Sequence, residues 1–116
     1  GDLNLLGIAR RLNDLIVRAK SKKLKAEDVQ GGTFTITNPG GWGSITSNPI
    51  INQPQVAILG IGAAVKRPVI VDDMIAIRPL MLMSLTFDHR AIDGEGGSKY
   101  LATLKEIIEN YSDVPQ

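Results

Sequence analysis

His89 is the only histidine in the 116-residue sequence, and it stands inside the stretch Asp88-His89-Arg90-Ala91-Ile92-Asp93-Gly94. Neutral imidazole is the side chain best suited to take a proton near pH 7. A carboxylate follows four positions later at Asp93, and Gly94 behind it lets the chain turn back towards the ring. Upstream lies a long apolar run, Leu80 to Phe87, in which Met81, Met83, Leu85 and Phe87 share one face of a strand. Continued alternation places His89 on that same face. Burial there would disfavour the charged imidazole and keep it ready to accept a proton. A thiol, with an ordinary pKa of about 8.5, is a suitable donor.

Thr37 is the second candidate. It closes the alternating run Thr33-Phe34-Thr35-Ile36-Thr37, just before the turn cluster Asn38-Pro39-Gly40-Gly41. Its hydroxyl could donate to the oxyanion formed when a thiolate attacks a thioester carbonyl. Each candidate also has an ordinary structural role. His89 could be a core histidine, Asp93 an N-cap of the following helix, and Thr37 a simple strand former. Arg90 reads as structural or solvent-facing. Gly94, Gly96 and Gly97 lack the lysine and spacing of a phosphate-binding loop.

Composition narrows the chemistry further. There is no cysteine, which removes disulfides, thiolate metal ligands and an acyl-cysteine intermediate. If thioesters react here, the sulfur belongs to the substrates. One histidine leaves any zinc site resting on carboxylates, so no metal is expected. A net charge of +1 gives no footprint for nucleic acid or an anionic membrane. No apolar run has bilayer length and no signal-peptide pattern opens the chain. The length fits one domain with one core.

The elements that must position these residues can be read in order. Leu5, Ile8, Leu12, Leu15, Ile16 and Ala19 recur at helical spacing, and Lys20, Lys22, Lys23 and Lys25 make the helix end basic. Residues 26–30 form a polar connection. A strand over 33–37 is followed by a loop from Trp42 to Gln55, long enough to be functional or packed on a partner. Residues 55–62 (QVAILGIG) are apolar on both faces, as in a central strand. Pro68 to Val71 and Met74 to Arg78, joined by Asp72-Asp73, predict a hairpin. Pro79 is expected to separate it from a strand over 80–88. The last helix carries Tyr100, Leu101, Leu104, Ile107, Ile108 and Tyr111 on one stripe. The sum is an α+β fold, with two layers and a mixed, mostly antiparallel sheet of about five strands.

Three blocks of this sequence resemble a known family. His-Arg-Ala-Ile-Asp-Gly at 89–94, after Leu-Thr-Phe-Asp, is similar to the HxxxDG signature of the dihydrolipoyl acyltransferases, the catalytic cores of 2-oxo acid dehydrogenase complexes. Gly31-Gly32-Thr33-Phe34-Thr35-Ile36-Thr37-Asn38 resembles a second family signature, and residues 49–60 (PIINQPQVAILG) a third. HxxxDG alone is shared with chloramphenicol acetyltransferase and with peptide-synthetase condensation domains; the three blocks in this order are far more specific.

The resemblance implies a partial domain, 1–116, equivalent to the C-terminal part of a coenzyme A-dependent acyltransferase-like catalytic domain. Lipoyl and peripheral-subunit-binding domains would be absent, as would the N-terminal half of the catalytic domain. It implies transfer of an acyl group between dihydrolipoamide, carried on a lipoyl domain absent here, and coenzyme A as substrate. The site would lie at the interface of a homotrimer. His89 matches the base, Thr37 the oxyanion donor supplied by a neighbouring subunit, and Asp93 the aspartate that orders the site, commonly by pairing with an arginine in the half absent here. The expected partners are further copies, a higher cage, and the decarboxylase and dihydrolipoyl dehydrogenase components, with no nucleic acid and no membrane. The expected location is cytoplasmic, or the mitochondrial matrix in a eukaryote. Thr37 with Asn38 leans towards succinyl transfer. The final residues 111–116 depart from the leucine-rich tail by which family members join trimers into cages. Two other readings stay open: an assembly module without activity of its own, and a coenzyme A-dependent acetyltransferase with a hydroxyl or amine acceptor.

Overall fold

A computed structural model describes residues 3–112. The tail residues 113–116 lie outside the described residues. The chain divides into two units, 1–32 and 33–116.

The first unit is built on α1 (Leu5–Lys20). Asn4 caps it by accepting from the Gly7 N–H at 2.8 Å, and Ser21 and Lys22 end it, the latter with φ +57°. Residues 26–30 are not the open polar connection expected from sequence, because 26–29 form a 3-10 turn. Asp28 causes the difference: it accepts from the Lys25 N–H at 2.8 Å while its carboxylate pairs with Arg18 of α1. The apolar stripe of α1 is present but largely exposed, at Leu5, Ile8, Leu12 and Ile16, with Leu15 half-buried.

The second unit contains β1 (Thr35–Thr37), β2 (Ala57–Ile61), β3 (Val65–Val71), β4 (Met74–Leu80), β5 (Met83–Phe87) and α2 (Gly94–Glu109). The strands form two sheets rather than one of five. β1, β2 and β5 lie in that order, β1 parallel and β5 antiparallel to β2, while β3 and β4 pair only with each other. The reason is a mismatch of chain length. Between the pairs Ile61↔Met83 and Val65↔Leu80, residues 62–64 face only 81–82, a bulge that interrupts the ladder. The strand expected over 80–88 is therefore shorter. Pro79 does not separate the strands; it sits inside β4 opposite Lys66, where a two-stranded ribbon tolerates a missing N–H. Asp72 and Asp73 both adopt positive φ, as a two-residue hairpin turn requires.

β2 is the central strand its sequence indicates. Ala57, Ile58 and Leu59 are the buried hydrophobic residues among those described. The long loop after β1 packs back over this strand: the Ala63 N–H donates to the Ser44 carbonyl at 2.7 Å, and Ser84 Oγ donates to the Ser47 carbonyl at 2.8 Å. Gly60 permits the approach, since a Cβ there would lie 2.5 Å from Ser47 Oγ. In β1 the alternation holds but its sides are reversed in burial. Thr35 and Thr37 are half-buried, whereas Ile36 is 62 % exposed.

α2 packs on β5 through the buried Gly97 and the half-buried Leu101 and Leu104. Tyr100 meets Phe34, ring centroids 5.9 Å apart, and Ile107, Ile108 and Tyr111 from the same stripe remain exposed.

Candidate active site

β5 ends at Phe87 because Asp88 redirects the backbone. Its N–H still pairs with the Val56 carbonyl at 2.8 Å, but its own carbonyl accepts from Ala91 and Ile92 at 2.9 and 3.0 Å. Its carboxylate accepts the Arg90 N–H at 2.9 Å and both Nε and Nη2 of the same arginine, at 3.0 and 2.7 Å. Those bonds to Arg90 hold the Asp88 carboxyl down at about 2, and the carboxylate in turn raises the guanidinium. The positive charge next to His89 is thus paired with its neighbour. Sequence reasoning passed over Asp88; the signal is an Asp two positions before the residue whose N–H it accepts, a turn of the Asx type.

His89 stands at the head of this turn, its ring 5.6 Å from that of Phe87 and inclined by 42°. The shared face expected from alternation is retained. The expected burial is not, because the strand stops before His89 and the ring is exposed. It lines an open depression of about 430 Å³ together with Arg90, Ala91, Ile92, Asp93 and Gly96.

Asp93 is the N-cap of α2, its Oδ1 accepting from the Gly96 N–H at 2.7 Å. Among the described residues no arginine forms an ion pair with it. Thr37 is elsewhere. It pairs in register with Gly60 at the far end of β2, whereas Ala57 at the near end pairs with Phe87. One copy of the chain therefore brings His89 and Asp93 to a common hollow and leaves Thr37 at the other end of the sheet. No cluster of three metal-ligating side chains occurs among the described residues, and no helix there is long and apolar enough to cross a membrane.

Residues 1–114 match the family model for the 2-oxoacid dehydrogenases acyltransferase catalytic domain. The chain belongs to that family. Among its curated relatives, the succinyltransferase component of the 2-oxoglutarate dehydrogenase complex of Buchnera aphidicola is 44% identical over 112 residues, covering 97% of this chain and 27% of the relative. The solved structure of a probable dihydrolipoamide acetyltransferase from Listeria monocytogenes superimposes with a TM-score of 0.93 at 43% identity, covering 99% of this chain and 49% of that one. The Azotobacter vinelandii dihydrolipoamide acetyltransferase superimposes with a TM-score of 0.89 at 36% identity, covering 94% and 45%. That structure was determined to investigate the role of a serine, a histidine and an asparagine in its catalytic mechanism.

This member of the acyltransferase family thus spans about a quarter of the length of the curated relative and about half of each solved chain. The α+β architecture is that of the family's catalytic cores. Succinyl- and acetyl-transferring proteins match it at nearly the same identity, so the lean towards succinyl from Thr37 and Asn38 gains no support.

Proposed function

We propose that this chain carries the histidine side of a site that moves an acyl group between dihydrolipoamide and coenzyme A. The observation that carries the reading is one of spacing. The serine, histidine and asparagine studied in the Azotobacter protein follow one another at the same intervals as Thr37, His89 and Asp93. The open hollow beside His89 gives a substrate sulfur access to the ring.

In the proposed reaction a ring nitrogen of His89 takes the proton from the attacking thiol. The sulfur attacks the thioester carbonyl carbon, and the carbonyl π electrons move to oxygen. Thr37 Oγ donates a hydrogen bond to that oxyanion. When the carbonyl re-forms, the other sulfur departs and takes the proton from His89. Neither metal nor redox partner is needed for this balance. Because Thr37 and His89 lie apart in one copy, the site joins His89 of one copy to the threonine of its neighbour, within a homotrimer. Asp93 shapes the turn that presents the base. We extend the reading to residues 1–116 as the C-terminal part of a catalytic domain. The decarboxylase and dihydrolipoyl dehydrogenase components are then its partners, and the cytoplasm or mitochondrial matrix its location.

The test is His89→Ala in the full-length protein, assayed for thioester exchange between acyl-dihydrolipoamide and coenzyme A. The rate should fall by at least about 100-fold, with the oligomer intact by sedimentation. Near-normal turnover rejects the assignment.

A further inference from the structure

We propose that Phe87 is a positioning residue for His89, and that its own place is set by the missing side chain at Gly97. The proposal rests on His89 being the base. Its geometry is a relay of contacts across β5 and α2. The Phe87 and His89 rings lie 5.6 Å apart and inclined by 42°, within the range of a favourable aromatic pair. His89 is exposed, so the half-buried Phe87 ring is an aromatic wall against which one side of the imidazole can rest. A base held on one side and open on the other can meet a substrate sulfur in a restricted orientation.

Phe87 is also packed against the backbone of α2 at Gly97, the buried residue of that helix. A Cβ at Gly97 would stand 2.7 Å from Phe87 Cε1, 3.1 Å from Cζ and 3.3 Å from Cδ1. The helix backbone and the ring are therefore as close as the missing side chain allows. The position of Gly97 is in turn tied to Asp93, whose carbonyl accepts the Gly97 N–H at 3.1 Å and whose carboxylate caps the first turn. Asp93 thus reaches His89 through Gly97 and Phe87, without touching the reacting atoms.

The experiment uses the full-length protein with Phe87→Leu, Phe87→Tyr and Gly97→Ala. Each variant is read by kcat and KM for coenzyme A, and by the imidazole proton resonances of His89, assigned by their loss in His89→Ala. Phe87→Leu keeps an apolar body but removes the ring; kcat should fall by up to about 100-fold, the cost of misplacing a reacting group by an ångström, at unchanged KM. The His89 resonances should move with the loss of the ring current. Phe87→Tyr should retain both the rate and the resonance positions. Gly97→Ala, which keeps Phe87 but displaces it, should lower kcat and move the resonances as well. A folded Phe87→Leu variant with unaltered kcat overturns the proposal, whether or not the resonances move. Full activity in His89→Ala overturns the general-base reading and the positioning role with it, while the resonances still report separately whether the ring contact exists.

Discussion

Thr37 and His89 lie at opposite ends of the three-stranded sheet. Thr37 is level with the pair Gly60↔Ser84, and His89 lies beyond the pair Ala57↔Phe87. The offset amounts to roughly 10 Å along the strands and about 9 Å across them, before the residues past Phe87 are added. A hydroxyl at that distance cannot serve an oxyanion formed beside the imidazole. In the homotrimer proposed above, the threonine of one copy would instead serve the histidine of its neighbour.

Complementation between two damaged proteins follows from that arrangement. Thr37→Ala and His89→Ala should each be defective alone. Unfolded together and reassembled, they should recover activity, since roughly a quarter of the interfaces in an evenly mixed ring join an intact histidine to an intact threonine. The measurement is thioester exchange in the mixture against each parent. No gain on mixing would place both residues of the working site in one copy.

Thr37→Ala should lower kcat by about 3 kcal/mol of barrier, the cost of one oxyanion donor, with little change in KM. Thr37→Ser keeps the hydroxyl and should keep the rate. Stability should barely respond, because Thr37 is half-buried at the end of an edge strand. Parallel kinetics and thermal melts check both halves. Equal rates in the alanine and serine variants would return Thr37 to an ordinary strand role.

Much of this geometry is legible in the residues, and the parts that are not have physical reasons. The stretch 55–62 reads as a central strand because both of its faces are apolar, and burial of Ala57, Ile58 and Leu59 follows. Asp72-Asp73 reads as a tight turn because aspartate tolerates positive φ, as found at both positions. The exposure of His89 is hidden, since period-two alternation assumes a continuing strand and the bonds made by Asp88 end it. The division into two sheets is hidden too. It comes from one extra residue at 62–64 against 81–82, and no single side chain marks it. Nor does composition reveal that most of the apolar stripe of α1 stays exposed, because amphipathic spacing identifies a face without identifying what covers it.

Asp93 allows stability to be separated from catalysis. Asp93→Ala removes the cap accepted from Gly96 and should cost about 1 kcal/mol of stability. Asp93→Asn keeps an acceptor oxygen at the N-cap and should be close to neutral in stability. It should also stay active, in line with the asparagine studied at the same interval after the histidine in the Azotobacter protein. Denaturation midpoints and exchange rates for both variants decide this. An inactive but fully stable Asp93→Asn would mean that the negative charge itself matters.

Acid should loosen the turn that carries His89 late. Arg90 holds the Asp88 carboxyl at about 2, below its ordinary 3.8. A carboxyl depressed by folding contributes its stabilisation fully above the ordinary value, and loses it as pH falls through the depressed one. The bonds that fix Arg90 should therefore be intact at pH 4 and above, weaken between about 4 and 2, and be lost below that. The amide resonance of Arg90, whose N–H Asp88 accepts at 2.9 Å, is a direct reporter. Its titration should centre near the depressed value rather than near 3.8. Asp88→Asn removes the titrating group, leaving that amide insensitive over the same range. A midpoint at the ordinary carboxylate value would show that the bidentate pair does not persist in solution, and the turn beside His89 would then rest on the backbone bonds of Asp88 alone.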